Sequence, residues 1–217
     1  ISNQELTTFQ KICDVETEIK ETRINDAKVD PYGGIVFGTY NEHPDRQNRK
    51  PIASLYRLAP DLSLTQLLSN ITVSNGIAFS QEENIMYFAD TPTGRIQKFE
   101  YSQDFNKLHE LSSNLIFHDV GVPDGATMDS QNNYWSARVR GNCIICIDIK
   151  KEKILKKINL PTATPTCLTF GGPDSSNLFV TSLRADHIND SVDGNLYKVQ
   201  THTKGLKQVL SDIKKKK

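Results

Sequence analysis

The stretch VSNGIAFS at Val73–Ser80, followed by MYFAD at Met86–Asp90, contains the pattern on which the whole chain is built. It joins a Gly-bearing turn that carries Asn75 to a short apolar run, a polar break and a second apolar run. The stretch PDGATMD at Pro123–Asp129 repeats this plan, with the carboxylate of Asp124 in place of the amide. Oxygen-bearing side chains at equivalent points of a repeat predict that the two share one site.

The same plan recurs along the chain at nearly even spacing. Taking Phe37, Tyr87, Trp135 and Phe179 as equivalent aromatic residues gives intervals of 50, 48 and 44 residues. Repeats of this length, built from several short strands, are typical of propeller blades. The helix-period stretches that a helical repeat needs are scarce. The sequence therefore predicts an all-β protein, a β-propeller forming a single domain over residues 1–217.

The length sets the number of blades. At about 45 residues per blade, 217 residues correspond to four to five blades. Residues 1–22 are expected to be the remnant of an earlier blade, with an outer strand at Leu6–Ile12. Residues 211–217 are expected to form a basic tail in solvent, because Lys214–Lys217 is the only run of basic residues.

Composition and charge argue against two classes of partner. The 26 Lys and Arg residues balance the 26 Asp and Glu residues, and the pI is 7.1. Such a chain lacks the basic surface that binds nucleic acid or an anionic membrane. No apolar run approaches the roughly 20 residues of a membrane span. We therefore expect a small-molecule partner and neither nucleic acid nor a membrane, and the oligomeric state stays open.

Four cysteines occur, at Cys13, Cys143, Cys146 and Cys167. Cys143 and Cys146 form a C-x-x-C pair inside an isoleucine-rich stretch that predicts a strand. Side chains at i and i+3 of a strand point to opposite faces, so these two thiols cannot bind one zinc ion. The sequence predicts buried free thiols, which fits a reducing cytoplasmic location.

Four motifs carry a resemblance to a known family: RINDAKVDP at Arg23–Pro31, SNG at Ser74–Gly76, PDG at Pro123–Gly125, and PTCLTFGG at Pro165–Gly172. Each alone is an ordinary turn sequence. In this order and at this spacing they resemble the regucalcin/gluconolactonase family, also known as senescence marker protein and luciferin-regenerating-enzyme-like. The resemblance runs from about Arg23 to about Gly205. It implies a six-bladed propeller that binds one divalent cation (Ca, Zn, Mn or Mg) in its central channel and hydrolyses sugar lactones or related esters.

The resemblance also implies roles for particular residues. Asn75 and Asp124 match two ligands of the cation, and Asp124 also matches the general base. Arg23 and Asn25 match an Arg-x-Asn motif that contacts substrate. The position of an acidic substrate contact falls on His43 by direct count, with Glu42 adjacent.

One feature of the family is expected to be missing. A third ligand, a Glu, belongs to the first strands of the family, well before the Arg-x-Asn motif. Only 22 residues precede Arg23, and no Glu among them stands in a matching context. The sequence therefore predicts an incomplete propeller that lacks about one and a half blades and one metal ligand.

Two functions stay open. The first is a metal-dependent lactonase in which a metal-activated water attacks the lactone carbonyl and Asp124 is both ligand and base. The second is a truncated, catalytically inactive propeller that binds at most a metal or a partner. Asp90 and Asp129 are expected to stabilise turns, and Phe79, Tyr87 and Trp135 to pack between blades.

Overall fold

The computed structural model describes residues 11–103, 105, 108–112, 114–184 and 193–213. These residues contain sixteen β-strands and three 3-10 helices of three residues each. Most of the outer strand predicted at Leu6–Ile12 lies outside the described residues, and Lys11 and Ile12 have no regular structure. The basic run Lys214–Lys217 also lies outside the described part of the chain.

The strands form four antiparallel sheets, called blades 1 to 4 below. Blade 1 contains β1 (Thr22–Val29), β2 (Ile35–Asn41), β3 (Ala53–Leu58) and β4 (Leu64–Ile71). Blade 2 contains β5 (Ser74–Ser80), β6 (Ile85–Asp90), β7 (Arg95–Glu100), β8 (His109–Glu110) and β9 (Leu115–Ile116). Blade 3 contains β10 (Val122–Met128), β11 (Tyr134–Val139), β12 (Cys143–Asp148) and β13 (Lys153–Asn159). Blade 4 contains β14 (Pro165–Gly171), β15 (Asn177–Ser182) and β16 (Leu196–Gln200). The 3-10 helices span Arg46–Asn48, Thr91–Thr93 and His118–Val120.

Strands that follow each other in the chain mostly pair with each other, as in the meander of a propeller blade. The first strand of each blade (β1, β5, β10, β14), here called its inner strand, packs against the inner strand of the next. This arrangement confirms the predicted all-β propeller and its incomplete form, with four blades in the described residues. No helix in the described ranges is long and apolar enough to cross a membrane.

Apolar side chains fill the spaces between neighbouring blades. Three clusters of buried residues separate blades 1 and 2, blades 2 and 3, and blades 3 and 4. Phe79, Tyr87 and Trp135 each belong to one of these clusters, as predicted. Cys143 lies in the cluster shared with blade 2 and Cys146 in the cluster shared with blade 4. The two thiols therefore point to opposite faces of β12, which confirms that they form no common zinc site.

A β-bulge interrupts the inner strand of every blade. The pairing register shifts after Ile24, Asn75, Pro123 and Pro165. The two residues that follow each of these positions lack a partner in the second strand, as expected of a bulge. The sequence interpretation of Asn75 as a turn residue preceding a strand is therefore wrong. It lies inside β5, because the bulge breaks the alternating pattern without ending the strand.

The bulges also correct the alignment of the repeat. Phe37 and Tyr87 pair with the first residue after the bulge, whereas Trp135 and Phe179 pair with the second. Tyr87 and Trp135 nevertheless both face the blade that follows their own, whereas Val36 faces blade 2, so that Phe37, its neighbour on β2, points away from blade 2. The four are not equivalent, although the repeat that they pointed to is real.

The chain after β16 crosses back over the ends of three blades. The N–H of Gly205 donates to the carbonyl of Ser175 in blade 4 at 2.9 Å. The N–H of Leu206 donates to Met128 of blade 3 at 3.1 Å, and that of Asp212 to Gly33 of blade 1 at 2.9 Å. This C-terminal segment, residues 201–213, therefore ties blade 4 to blade 1. The described start of the predicted solvent-exposed tail lies against blade 1.

Candidate active site

The bulges bring polar side chains of several blades to one cavity. Asn75 of blade 2, 4% exposed, and Asp124 of blade 3, half-buried, line a cavity of about 430 Å³. They occupy the same point of the repeat, three residues before the residues that pair with Tyr87 and Trp135. Asn75 is the last paired residue before its bulge, whereas Asp124 is the first unpaired residue within its own. One shared cavity contains both predicted metal ligands.

Hydrogen bonds hold the amide of Asn75 from both sides. Its Nδ2 donates to Thr91 Oγ1 at 2.8 Å, and that hydroxyl donates to the carbonyl of Pro123 at 2.8 Å. On the other side, Nδ2 of Asn25 donates to Asn75 Oδ1 at 3.2 Å and to the carbonyl of Ser74 at 2.9 Å. This chain of bonds links blades 1, 2 and 3. An amide oxygen can accept twice, so Oδ1 keeps one position for a ligand.

Asp124 is a carboxylate with no ion-pair partner within the described residues. Burial raises its pKa, and the neighbouring carboxylate of Asp26 raises it further, to about 7. The N–H of Gly125 opposes both effects. A cation beside Asp124 would favour its charged form.

Asp26 is a residue of this site that the sequence interpretation missed. Its Oδ2 accepts from the N–H of Ile77 at 3.0 Å, and its Oδ1 accepts from the N–H of Ala27 at 2.9 Å. Burial raises its pKa despite these two bonds and despite the nearby charge of Lys28. The side chain thus connects the bulges of blades 1 and 2. Its position directly after Asn25 was the only signal for it in the sequence.

The other predicted substrate contacts lie outside the cavity wall. Nε of Arg23 is 3.2 Å from Oε2 of Glu42, and its guanidinium lies 4.5 Å from the centroid of the Tyr40 ring. His43 is exposed, and its Nδ1 accepts from the N–H of Asp45 at 3.2 Å. The structure therefore joins Asn25 to Asn75, and pairs Arg23 with Glu42. It holds His43 in a local turn.

Cys167 differs from the prediction that the thiols are buried. Cys143 and Cys146 are buried and Cys13 is half-buried, whereas Cys167 is exposed. Cys167 lies in the bulge of β14, where the side chain leaves the space between blades. A Cβ atom on Gly125 would stand 2.7 Å from its Sγ, so β10 and β14 are in close contact there.

The donor atoms at the cavity suit a hard divalent cation. The amide oxygen of Asn75 and the carboxylate of Asp124 are oxygen ligands of the kind that Ca²⁺, Mg²⁺ and Mn²⁺ prefer. Asp26 adds a second negative charge close enough to shift the pKa of Asp124. Among the described residues, no three His, Cys, Asp or Glu side chains converge as a metal-binding group. An ion here would therefore depend on the Asn75 amide.

Comparison with known proteins places this geometry in a family. Residues 1–184 match the family described as SMP-30/Gluconolactonase/LRE-like region. The Bacillus subtilis protein YvrE, named provisionally as a sugar lactone lactonase, is 31% identical over 93% of this chain and 70% of its own. A luciferin-regenerating enzyme structure has a TM-score of 0.85 at 32% identity, covering 94% of this chain and 70% of that one.

A second solved structure is similar as well. A regucalcin from Agrobacterium tumefaciens, described as a calcium-binding protein, has a TM-score of 0.78 at 25% identity. The match covers 92% of this chain and 68% of that one. Across eight curated relatives, this chain spans between 56% and 70% of their length. The chain belongs to the SMP-30/gluconolactonase/LRE-like family.

Proposed function

We propose that this chain hydrolyses a sugar lactone or a related ester at the cavity lined by Asn75 and Asp124. The observation that carries the proposal is that an oriented amide and an unpaired carboxylate, on two blades, face the same cavity. The family of the chain and its similarity to a protein named as a sugar lactone lactonase support the same reaction. The substrate is then a small cyclic ester that fits between the inner strands.

Asn75 and Asp124 would hold a divalent cation, whether Ca, Zn, Mn or Mg. When bound, such a cation polarises an ester carbonyl and lowers the pKa of a water molecule. The fixed amide of Asn75 presents Oδ1 to the cavity at little entropic cost, because two bonds already orient it. Asp26 contributes charge that favours retention of the cation.

Asp124 would act as the general base. Without metal, burial together with Asp26 raises the pKa of Asp124 to about 7. A bound cation would lower this pKa, so that the carboxylate is charged and able to accept a proton at neutral pH. Its carboxylate would take the proton of the water that attacks the lactone carbonyl. The proton then passes to the ring oxygen as the ester bond breaks, so that the products are a free acid and a hydroxyl group.

Three residues of blade 1 would orient the substrate. Both hydrogen bonds that the Asn25 side chain makes to described residues use Nδ2 as donor, which leaves Oδ1 to accept from a substrate hydroxyl. The Arg23–Glu42 pair offers a donor and an acceptor side by side at the surface. The role of His43 as a substrate contact stays a prediction, since its ring nitrogen is engaged in its own turn.

The test is hydrolysis of glucono-1,5-lactone, followed as acid release above the uncatalysed rate, with each of the four cations in turn. We expect activity with at least one cation, and a loss of about 100-fold or more in kcat for Asp124→Asn, because general bases contribute about 10²–10⁴. Asp61→Asn, an exposed carboxylate in the β3–β4 turn, is the matched control and should retain full activity. The lactonase proposal fails if no cation supports turnover, or if Asp124→Asn is as active as the wild type.

One observation favours the second candidate, a catalytically inactive propeller that binds at most a metal or a partner. The described residues contain no group of three acidic, histidine or cysteine side chains that could hold a metal. Calorimetric binding of Mn²⁺ that depends on Asp124, in a protein without lactonase activity, would support this candidate. Lactone hydrolysis lost on chelation and restored by metal would rule it out.

We also place the protein in the cytoplasm. All four cysteines are free thiols, although Cys167 is exposed, and exposed thiols persist in reducing compartments. Cell fractionation with antibodies to the native chain tests this location, and recovery in a secreted or vesicular fraction would contradict it.

A further inference from the structure

Three arginines line the same cavity as Asn75 and Asp124. Arg46 and Arg49 come from the loop between β2 and β3 in blade 1, and Arg140 comes from the β11–β12 hairpin in blade 3. Arg46 and Arg140 are exposed and Arg49 is half-buried, whereas Asn75 is buried. The cavity therefore has a cationic rim, defined here as these three arginines, around an inner site of oxygen donors.

The charge of the cationic rim is not neutralised by any residue that the structure describes. No carboxylate of the described residues lies within ion-pair distance of Arg46, Arg49 or Arg140. Burial lowers the pKa of Arg49, and the neighbouring charges of Arg46 and Arg23 lower it further. The charges of Arg46 and Arg49 therefore repel each other, and a bound anion would offset that repulsion.

The loop of blade 1 is held in place before any ligand arrives. Nδ2 of Asn41 donates to the carbonyl of Lys50 at 3.0 Å, and its Oδ1 accepts from the N–H of His43 at 2.9 Å. Nε of Arg49 donates to the carbonyl of His43 at 2.9 Å, and its guanidinium lies 5.4 Å from the centroid of the Tyr40 ring. These bonds fix the stem of Arg49, and its two terminal nitrogens have no hydrogen-bond partner among the described residues.

Arg140 is positioned by its hairpin. Its φ is +62°, in the left-handed region, and its N–H donates to the carbonyl of Ala163 at 2.9 Å. Blades 1 and 3 thus present arginines to one cavity from fixed backbones. Preorganised donors of this kind lose little entropy when they bind.

We propose that the substrate of this cavity carries an anionic group in addition to its lactone ring, and that Arg46, Arg49 and Arg140 bind that group. This proposal rests on the proposed lactonase function and specifies its substrate class. Guanidinium groups bind phosphates and carboxylates through paired, charge-assisted hydrogen bonds, whereas a neutral sugar needs no such charge. The exposed position of two of the arginines keeps the anionic group away from the carboxylates of Asp26 and Asp124.

The first experiment compares two lactones that differ by one phosphate. We expect kcat/KM to be at least about tenfold higher for 6-phosphoglucono-1,5-lactone than for glucono-1,5-lactone, because hydrogen bonds to charged groups are the stronger ones. Arg49→Gln and Arg140→Gln should each reduce this preference about tenfold. Arg95→Gln, an exposed arginine of β7 that is not among the cavity-lining residues, is the charge-matched control and should leave both rates unchanged.

The second experiment measures binding without turnover. In the Asp124→Asn background, calorimetry compares gluconate, glucarate and 6-phosphogluconate, which share one carboxylate and differ in the second anionic group. If glucarate binds more tightly than gluconate, the anionic group of the substrate is a carboxylate. If 6-phosphogluconate binds more tightly than gluconate, that group is a phosphate. In either case Arg49→Gln should weaken binding about tenfold.

The outcomes separate the two proposals. Equal rates for both lactones, unaffected by the arginine variants, would overturn the anionic substrate while leaving the lactonase function intact. Equal binding of all three acids would overturn it as well. Arginine-dependent binding of 6-phosphogluconate by a protein that hydrolyses neither lactone would support the anion site and contradict the lactonase.

Discussion

Asn75 and Asp124 reach their cavity because each stands at a bulge of an inner strand. Their presence in one site was predictable, since Asn-Gly and Pro-Asp-Gly recur one repeat apart. Their location at bulges inside strands was not predictable, because a Gly after a polar residue indicates a turn as readily as a bulge. Asp26 escaped prediction for a related reason. The carboxylate of Asp26 accepts a hydrogen bond from the N–H of Ile77, and the two meet only because blades 1 and 2 pack together.

The carboxyl of Asp124 should make stability depend on pH. Its pKa rises from 3.8 to about 7 on folding, so its contribution is complete below pH 4 and is lost as the pH rises through 7. In the presence of chelator, we expect the free energy of unfolding to fall from pH 5 to pH 8, relative to Asp124→Asn, by roughly 1–3 kcal/mol. Urea unfolding of both proteins across this range is the measurement. A constant difference between them would show that Asp124 does not titrate there.

Gly76 should tolerate no side chain. Its φ is +64°, and a Cβ would stand 2.7 Å from Tyr134 Oη, which donates to the Gly76 carbonyl at 2.8 Å. Gly94 has a similar φ of +69° with no atom within 4 Å of the added Cβ. We expect Gly76→Ala to cost roughly 2–4 kcal/mol in urea unfolding, and Gly94→Ala about 1 kcal/mol from backbone strain alone. Equal losses would mean that the contact with Tyr134 is unimportant.

At the scale of one blade, the sequence predicts where the strands lie. It does not predict which residues of neighbouring strands pair. The two apolar runs of the stretch Val73–Asp90 predicted two short strands, which the structure contains as β5 and β6. The register was not predictable, because Phe37 points away from blade 2 whereas Tyr87 and Trp135 each face the blade that follows their own. A bulge adds a residue without changing composition, so an aromatic spacing cannot detect it.

The carboxylate of Asp129, in the turn between β10 and β11, stabilises blade 3 through several hydrogen bonds. Buried Asp129 accepts from the N–H groups of Gln131 and Asn133, from Asn133 Nδ2 and from Trp135 Nε1. We expect Asp129→Ala to lower the free energy of unfolding by about 2–4 kcal/mol, because it leaves buried donors unpaired. Asp174→Ala, an exposed carboxylate in the corresponding turn of blade 4, should have a much smaller effect. Urea unfolding compares the two, and similar losses would contradict this role for Asp129.

In the molecule as a whole, the C-terminal segment connects blade 4 to blade 1. It does so through its own backbone hydrogen bonds and not through strand pairing between the two blades. The sequence predicted a solvated tail there because its only pattern was basic charge. The hydrogen bonds of Gly205, Leu206 and Asp212 use backbone atoms, which a sequence pattern does not reveal. The same holds for the cationic rim, whose arginines come from loops 91 or more residues apart and meet only through the stacking of blades.

Leu206 should anchor the C-terminal segment. It packs against the cluster between blades 2 and 3, whereas Leu210 is 85% exposed. We expect Leu206→Asp to destabilise the fold by roughly 2 kcal/mol or more, and Leu210→Asp to change little. Hydrogen exchange at the Asp212 amide provides a second readout and should quicken only in Leu206→Asp. Slow exchange at Asp212 in Leu206→Asp would show that this leucine does not hold the segment.

If Asn75 and Asp124 form one cation site between the blades, its affinity must depend on both side chains. Calorimetric titration of Mn²⁺ into the chelator-treated protein measures this, with Asp61→Asn as the control. We expect one ion per chain, with affinity lowered at least about tenfold by Asp124→Asn and by Asn75→Ala and unchanged by Asp61→Asn. Binding that is absent in the wild type, or equally strong in all four proteins, would contradict it.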